Sequence, residues 1–150
     1  MKSFWRDPQF YLALSLAPFF WIGLWMGSPP AFVPFWPLVA PLIFLKLALL
    51  YPILEELVFR GLLQEWLLKK EYGKRQWAGV SVANIIVCAA FALSHLINQP
   101  PLWALSVFFP GLVFGYFRDR HRSVVPAIVL HVFYNIGYFW LFKSDLSALI

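Results

Sequence analysis

Apolar residues run through the chain in long blocks, separated by short polar or proline-rich gaps. A helix needs about 20 mostly apolar residues to cross a bilayer, and the blocks fit that measure. The first covers about residues 9–26 and ends at Gly27-Ser28-Pro29-Pro30. The second begins near Ala31 and continues to about Leu68, too long for one straight span. Pro34, Pro37, Pro41 and Pro52 punctuate it, which predicts an irregular or interfacial approach and then a helix kinked near Pro52. The pattern predicts a third helix over about residues 77–96, a fourth over about 102–117 and a fifth over about 124–142. The expected fold is therefore all-α: one domain over residues 1–150, a polytopic transmembrane bundle of about five spans. No repeat or low-complexity segment interrupts it.

Composition agrees. Of 150 residues, 61% are hydrophobic and 13% charged, against about 25% charged in an ordinary soluble domain. That leaves too little polar surface for a water-soluble particle. The net charge of +5 could suggest nucleic acid as a partner, but the basic residues sit in the gaps between apolar blocks. There they read as topology signals, so nucleic acid is not expected and the lipid bilayer is. The single cysteine, Cys88, cannot form an internal disulfide. A basic start followed by an apolar stretch is like a signal sequence, but no small-x-small cleavage site follows, so an uncleaved first helix is expected.

Lys2 and Arg6 precede the first helix, and the gap at residues 27–30 carries no Lys or Arg. Lys69, Lys70, Lys74 and Arg75 fill the next gap; residues 98–101 have none; Arg118, Arg120 and Arg122 fill the one after. The positive-inside rule then places the amino terminus in the cytoplasm and the carboxyl terminus outside, with Lys143 the one dissenting charge.

Within the apolar blocks lie Glu55, Glu56, Arg60, His95 and His131. An ionisable group at the bilayer centre costs roughly 2.5–3.5 kcal/mol on insertion scales, so such groups face a cavity or one another. Neighbouring helical residues diverge by about 100°, so Glu55 and Glu56 cannot share a direction. Glu56 and Arg60, four apart with the acid first, suit an ion pair. Glu55 is left without a built-in partner, and a carboxylate in a low dielectric suits a general base. Phe91 and His95 share a helix face, as do His131 and Asn135, which can both donate hydrogen bonds toward an oxyanion. Taken alone, the Glu-Arg cluster could be a structural clamp, His95 an interfacial residue near a helix end, and His131 with Asn135 glue between helices.

Together, Glu55-Glu56-x-x-x-Arg60, Phe91-x-x-x-His95 and His131-x-x-x-Asn135 resemble the signatures of the CPBP family. These are the CAAX-processing and bacteriocin-processing intramembrane proteases, also called the Abi family. The resemblance covers about residues 49–138. Family members often have more spans, so this chain looks like a reduced core. The resemblance implies an integral protein of a bacterial or archaeal cell membrane that hydrolyses a peptide bond near the end of a membrane-anchored protein or peptide. It implies a water activated by Glu55 with help from His95, an oxyanion held by His131 and Asn135, and a supporting Glu56–Arg60 pair.

No cofactor is expected. The alternative is zinc held by Glu55, His95 and His131; against it, the two glutamates diverge, Arg60 adds positive charge, and neither motif has the two-histidine spacing of a helical zinc protease. A rival enzyme would use Cys88 with His95 in a sortase-like transpeptidase, but seven helical residues separate them by about 10.5 Å. A further rival is a non-catalytic immunity or scaffold protein. Depth along the helices, roughly 27 Å from the inside end to His95 and roughly 20 Å from Lys69 to Glu55, puts the site from mid-bilayer toward the outer leaflet.

Overall fold

The computed structural model describes residues 3–27 and 33–142. The turn expected at residues 28–30, together with Lys2 and Lys143, lies outside them.

Helix α1 (Pro8–Gly27) begins on a cap: Asp7 Oδ1 accepts the Gln9 N–H at 3.1 Å, and Pro8 takes the first helical position, where no N–H is needed. A single turn, α2 (Trp36–Val39), ends at Ala40, which Pro41 holds out of helical geometry. Helix α3 then runs without a break over residues 41–68. Instead of a simple kink near Pro52, two stretches, Lys46–Leu50 and Leu57–Gln64, are wound as π-helix on either side of the Glu55-Glu56 pair. Such widened turns recur at functional sites. The short α4 (Glu71–Lys74) leads to a hairpin of β1 (Gln76–Trp77) and β2 (Val80–Ser81).

That hairpin corrects the expected third helix, which starts only with α5 (Val82–His95). Ala78 and Gly79 take positive φ (50° and 81°), the geometry of a tight hairpin turn, and Ser81 Oγ then caps α5 by accepting the Asn84 N–H at 3.0 Å. The expected fourth helix is divided as well, into α6 (Pro101–Ser106) and α7 (Phe108–His121). Pro110 has no N–H for the Ser106 carbonyl, so the helix breaks at Val107. At its other end α7 runs beyond the expected stop, placing Arg118 and Arg120 against its negative pole. Helix α8 (Val125–Phe142) lies where expected and sits at the centre, packed on α1, α3 and α7.

Two ends of the bundle follow from the long-range bonds. At one end Asp7 holds Arg120 and His121, Glu65 holds Arg118, and Asp119 takes Gln64 Nε2 at 2.8 Å and Ser81 Oγ at 2.6 Å. At the other, Trp36 Nε1 donates to Phe139 O at 3.0 Å and Trp103 Nε1 to Tyr138 Oη at 3.1 Å. Between these ends the described chain passes five times: α1 away from the basic end, α3 back, α5 away, α6–α7 back, α8 away. A mostly apolar core encloses a few polar groups, and large apolar side chains also face outward. Glu56, Arg60, Gln64 and Asn84 are fully buried while Leu42, Leu62 and Leu102 stand 74%, 70% and 85% exposed. An apolar exterior around a few enclosed, mutually paired polar groups is what a lipid solvent selects. Among the described residues, α8 alone is both long and apolar enough by the usual test to cross a bilayer, and α5 is a shorter apolar helix.

Close approach of α7 to α3 and α5 depends on Gly111 and Gly115, four residues apart, in the small-xxx-small pattern of membrane helices. A Cβ at Gly115 would collide with the Asn84 carboxamide, which is held by Leu112 O (2.9 Å) and Cys88 Sγ (3.0 Å). Gly115→Ala is expected to cost about 1–3 kcal/mol in denaturant unfolding in detergent. Gly23→Ala, with nothing near its new methyl, should leave the midpoint unchanged or raise it.

The clasp at the basic end is pH-dependent. The Arg120 guanidinium, 2.5 Å from Asp7 Oδ2, holds the Asp7 carboxyl below its ordinary value, against the opposing effect of burial. A depressed carboxyl contributes stability that is present above its unfolded pKa of about 3.9 and lost as pH falls through the folded value. The melting temperature should therefore drop on acidification below about pH 5, and Asp7→Asn should flatten that slope.

Candidate active site

The site begins with the backbone of α3. The Tyr51 N–H reaches back five residues to Lys46 O, and Pro52 has no N–H to offer Leu47 O. The Leu47 carbonyl instead accepts a long hydrogen bond, 3.4 Å, from Asn135 Nδ2 on α8. Pro52 thus creates the acceptor that ties the last of the motif residues to the helix carrying the glutamates.

Beyond Pro52 the two glutamates diverge. Glu56 is fully buried and pairs with Arg60 Nη1 at 3.0 Å. Arg60 Nη2 donates to Gly111 O at 3.2 Å, and its guanidinium lies 4.6 Å from the Phe91 ring centroid. Glu55 is a third exposed and turns into a cavity. His131 joins the two: Nδ1 lies 2.8 Å from Glu56 Oε1, and Nε2 lies 3.7 Å from Glu55 Oε2. A carboxylate paired to arginine only accepts, so Nδ1 carries the proton of that bond and Nε2 is left facing Glu55. Phe114 stacks on the imidazole at 5.0 Å and fixes its plane.

His95 arrives from the end of α5. Its Nδ1 donates to Phe91 O at 2.9 Å, which leaves Nε2 with its lone pair, and the Phe91 ring stands edge-on to it at 4.6 Å. Phe91 thus separates two layers, the Arg60 guanidinium on one side and the His95 imidazole on the other. A cavity of about 170 Å3 gathers Glu55, His95, His131 and Asn135. It is also walled by Leu47, Tyr51, Trp103, Val107 and Tyr138, all in the half of the bundle away from the basic end.

A model of the type II CAAX prenyl endopeptidase Rce1-like family matches residues 34–137. The chain belongs to that family. The resemblance read from the three motifs is confirmed, and membership places the chain, at family level, among membrane-embedded CAAX-type proteases. No curated protein and no solved structure matches the chain. The matched stretch of this Rce1-like chain contains all seven motif residues, together with the cavity wall from Leu47 to Asn135.

Around the motif residues lies a buried polar layer that the motifs did not reveal. Gln64 donates to Gly115 O (3.1 Å) and Asp119, while Asn84, Ser81 and Arg118 complete a network from the site to the basic end. Gln64 could have been found: it continues the four-residue stripe of Glu56 and Arg60. Cys88 belongs to this layer. Its thiol lies against Asn84 Oδ1 and Arg60 and does not line the cavity, so it is turned away from His95.

Among the described residues, no three His, Cys, Asp or Glu side chains are grouped as a metal ion would require. Of the residues in the zinc alternative, His131 Nδ1 is engaged on Glu56 and His95 Nδ1 on Phe91 O, so Nε2 is the ring atom each could offer an ion. No step is derived through zinc.

Proposed function

We propose that the chain is an intramembrane endopeptidase that hydrolyses a peptide bond near the end of a membrane-anchored protein or peptide, with Glu55 as the base that activates water. The observation that carries this reading is the pairing of the carboxylates. Among the described residues Glu56 pairs with Arg60, Glu65 and Asp119 with Arg118, Glu71 with Lys74 and Asp7 with Arg120. Glu55 has no Lys or Arg, and it is the carboxylate that faces the cavity. A carboxylate left unpaired in a sheltered site has its basicity available for water.

In the proposed reaction Glu55 takes a proton from water as the oxygen attacks the scissile carbonyl carbon. The C=O electron pair becomes the oxyanion, and the Glu55 carboxyl then protonates the departing amine as the C–N bond breaks. His95 Nε2 is an acceptor that can hold the same water. Asn135 Nδ2 has two N–H groups and spends one on Leu47, so the second is available to the oxyanion beside His131. Glu56 and Arg60 touch no substrate in this scheme; they hold His131.

The five passes would then be five membrane spans, with Arg6, Lys69–Arg75 and Arg118–Arg122 at the cytoplasmic face. Since the cavity lies in the opposite half, the site would open toward the outer leaflet and trim tails after export. Quantitative mass spectrometry of membrane-protein tails in cells carrying wild type or Glu55→Gln tests the reading. Uncut tails should accumulate in the variant; identical tails would favour a non-catalytic scaffold. Epitope tags that place the 69–75 segment outside the cell would reverse the orientation.

A further inference from the structure

We propose that the groove at the basic end, between α4, the β1–β2 hairpin and the close of α7, is a binding site for the phosphodiester headgroup of an anionic phospholipid, with Arg122 and Lys74 as its anchors. Such a site lies outside the proteolytic reading and needs only that this end of the bundle meets a membrane surface.

The groove measures about 480 Å3, and polar side chains wall most of it, among them Lys74, Gln76, Ser81, Arg118 and Arg122. Its two acids are already neutralised. Glu65 and Asp119 both hold the Arg118 guanidinium, whose Nε is spent on Arg60 O. What remains is positive. Lys74 pairs only with Glu71, a well-exposed acid outside the groove, and ion pairs so open to water hold weakly. Arg122 lines the groove, and among the described residues its side chain has no acceptor.

The backbone of Arg122 points the same way. The Ser123 N–H returns to Arg118 O at 3.3 Å and the Arg122 N–H to Asp119 O at 3.4 Å, which closes α7. That closure requires a left-handed residue at position 122, where glycine is the ordinary choice. Arginine stands there instead, at φ 49° and ψ 39°. A strained residue that glycine would relieve is the mark of a side chain with work to do.

The surroundings set the depth. Trp77, beside Gln76 on the hairpin, is exposed, as are Tyr72 and Trp66, and Lys70 Nζ lies 5.2 Å from the Trp66 ring centroid. Exposed rings mixed with cations belong at the membrane–water boundary, where lipid phosphates lie. A zwitterionic lipid brings its own cation beside the phosphate, so two protein cations favour an anionic one.

The experiment uses the full chain in nanodiscs of phosphatidylcholine alone or mixed with phosphatidylglycerol, with native mass spectrometry of the lipid retained. A cation near an anionic surface is worth about fivefold in affinity, so two should favour phosphatidylglycerol by roughly 25-fold. Arg122→Gly and Lys74→Gln should each remove about fivefold of that preference, and the double variant nearly all of it. Arg75→Gln removes the same charge outside the groove and should cost far less. In phosphatidylcholine alone, Arg122→Gly should unfold at the wild-type temperature or above, because glycine adopts this conformation freely. Inorganic phosphate at matched ionic strength should not displace the lipid. Equal losses from Arg75→Gln and Arg122→Gly would mean a diffuse basic surface. A lower unfolding temperature for Arg122→Gly in phosphatidylcholine would make Arg122 a helix-end residue, and displacement by inorganic phosphate would make the ligand a free anion. Any of the three overturns the lipid site.

Discussion

Glu55→Gln is expected to lower turnover by about 10²- to 10⁴-fold while the protein still folds. The substitution keeps the shape of the side chain and removes only its capacity to take a proton. Little structure depends on that capacity, because the nearest ring nitrogen to Glu55, His131 Nε2, lies 3.7 Å away, beyond good hydrogen-bond length. The melting temperature should therefore move little while the rate collapses. Glu56→Gln should behave differently: Glu56 holds both Arg60 and His131, so stability and rate should fall together. A strong chelator should leave wild-type activity intact. Activity of Glu55→Gln within a few-fold of wild type would remove Glu55 as the base, and loss on chelation restored by zinc would revive a metal.

The split between the two glutamates was readable in the sequence because it depends only on the helical repeat. Adjacent residues must diverge, and residues four apart must meet, so Glu56–Arg60 was legible as a pair and Glu55 as the one left over. The joining of His131 to both was not legible, since it requires α8 to lie against α3 at one register. The π-wound stretches were hidden for another reason. A one-residue slip in backbone bonding leaves the hydropathy pattern almost unchanged, and Pro52 gave only the place of the disturbance. The hairpin at residues 76–81 failed in the opposite way, because apolar content outweighed the turn signal of Gly79.

In the sequence the basic gaps carry only topology signals. Arg118 and Arg120 prove to be structural partners, Arg118 buried against Glu65 and Arg120 clasping Asp7. The signal was the scarcity of acids. With seven acidic residues against twelve basic ones a carboxylate without Lys or Arg is conspicuous, and among the described acids Glu55 is that exception. Among the described acids, this pairing isolates Glu55 more sharply than its motif does.

Arg60→Met should have the largest effect on stability, about 3–5 kcal/mol, because it strands the Glu56 charge in a dry interior. Arg60 is fully buried, reaches Glu56 at 3.0 Å and Gly111 O at 3.2 Å, and lies over Phe91. Methionine fills much of that space but supplies no donor. Arg60→Lys should recover only part of the loss, since a single ammonium cannot serve Glu56 and the Gly111 carbonyl through one planar fork. The informative variant is the double one, Glu56→Gln with Arg60→Met. Removing both charges relieves the burial penalty, so stability should return toward wild type, and the two substitutions should be strongly non-additive. Activity should not return, because His131 Nδ1 then faces a neutral amide and nothing fixes its Nε2 toward Glu55. Urea unfolding in detergent gives the first quantity and peptide cleavage the second. If Arg60→Met alone costs less than about 1 kcal/mol, the pair behaves as a solvated one, and the buried clamp that orients His131 does not exist.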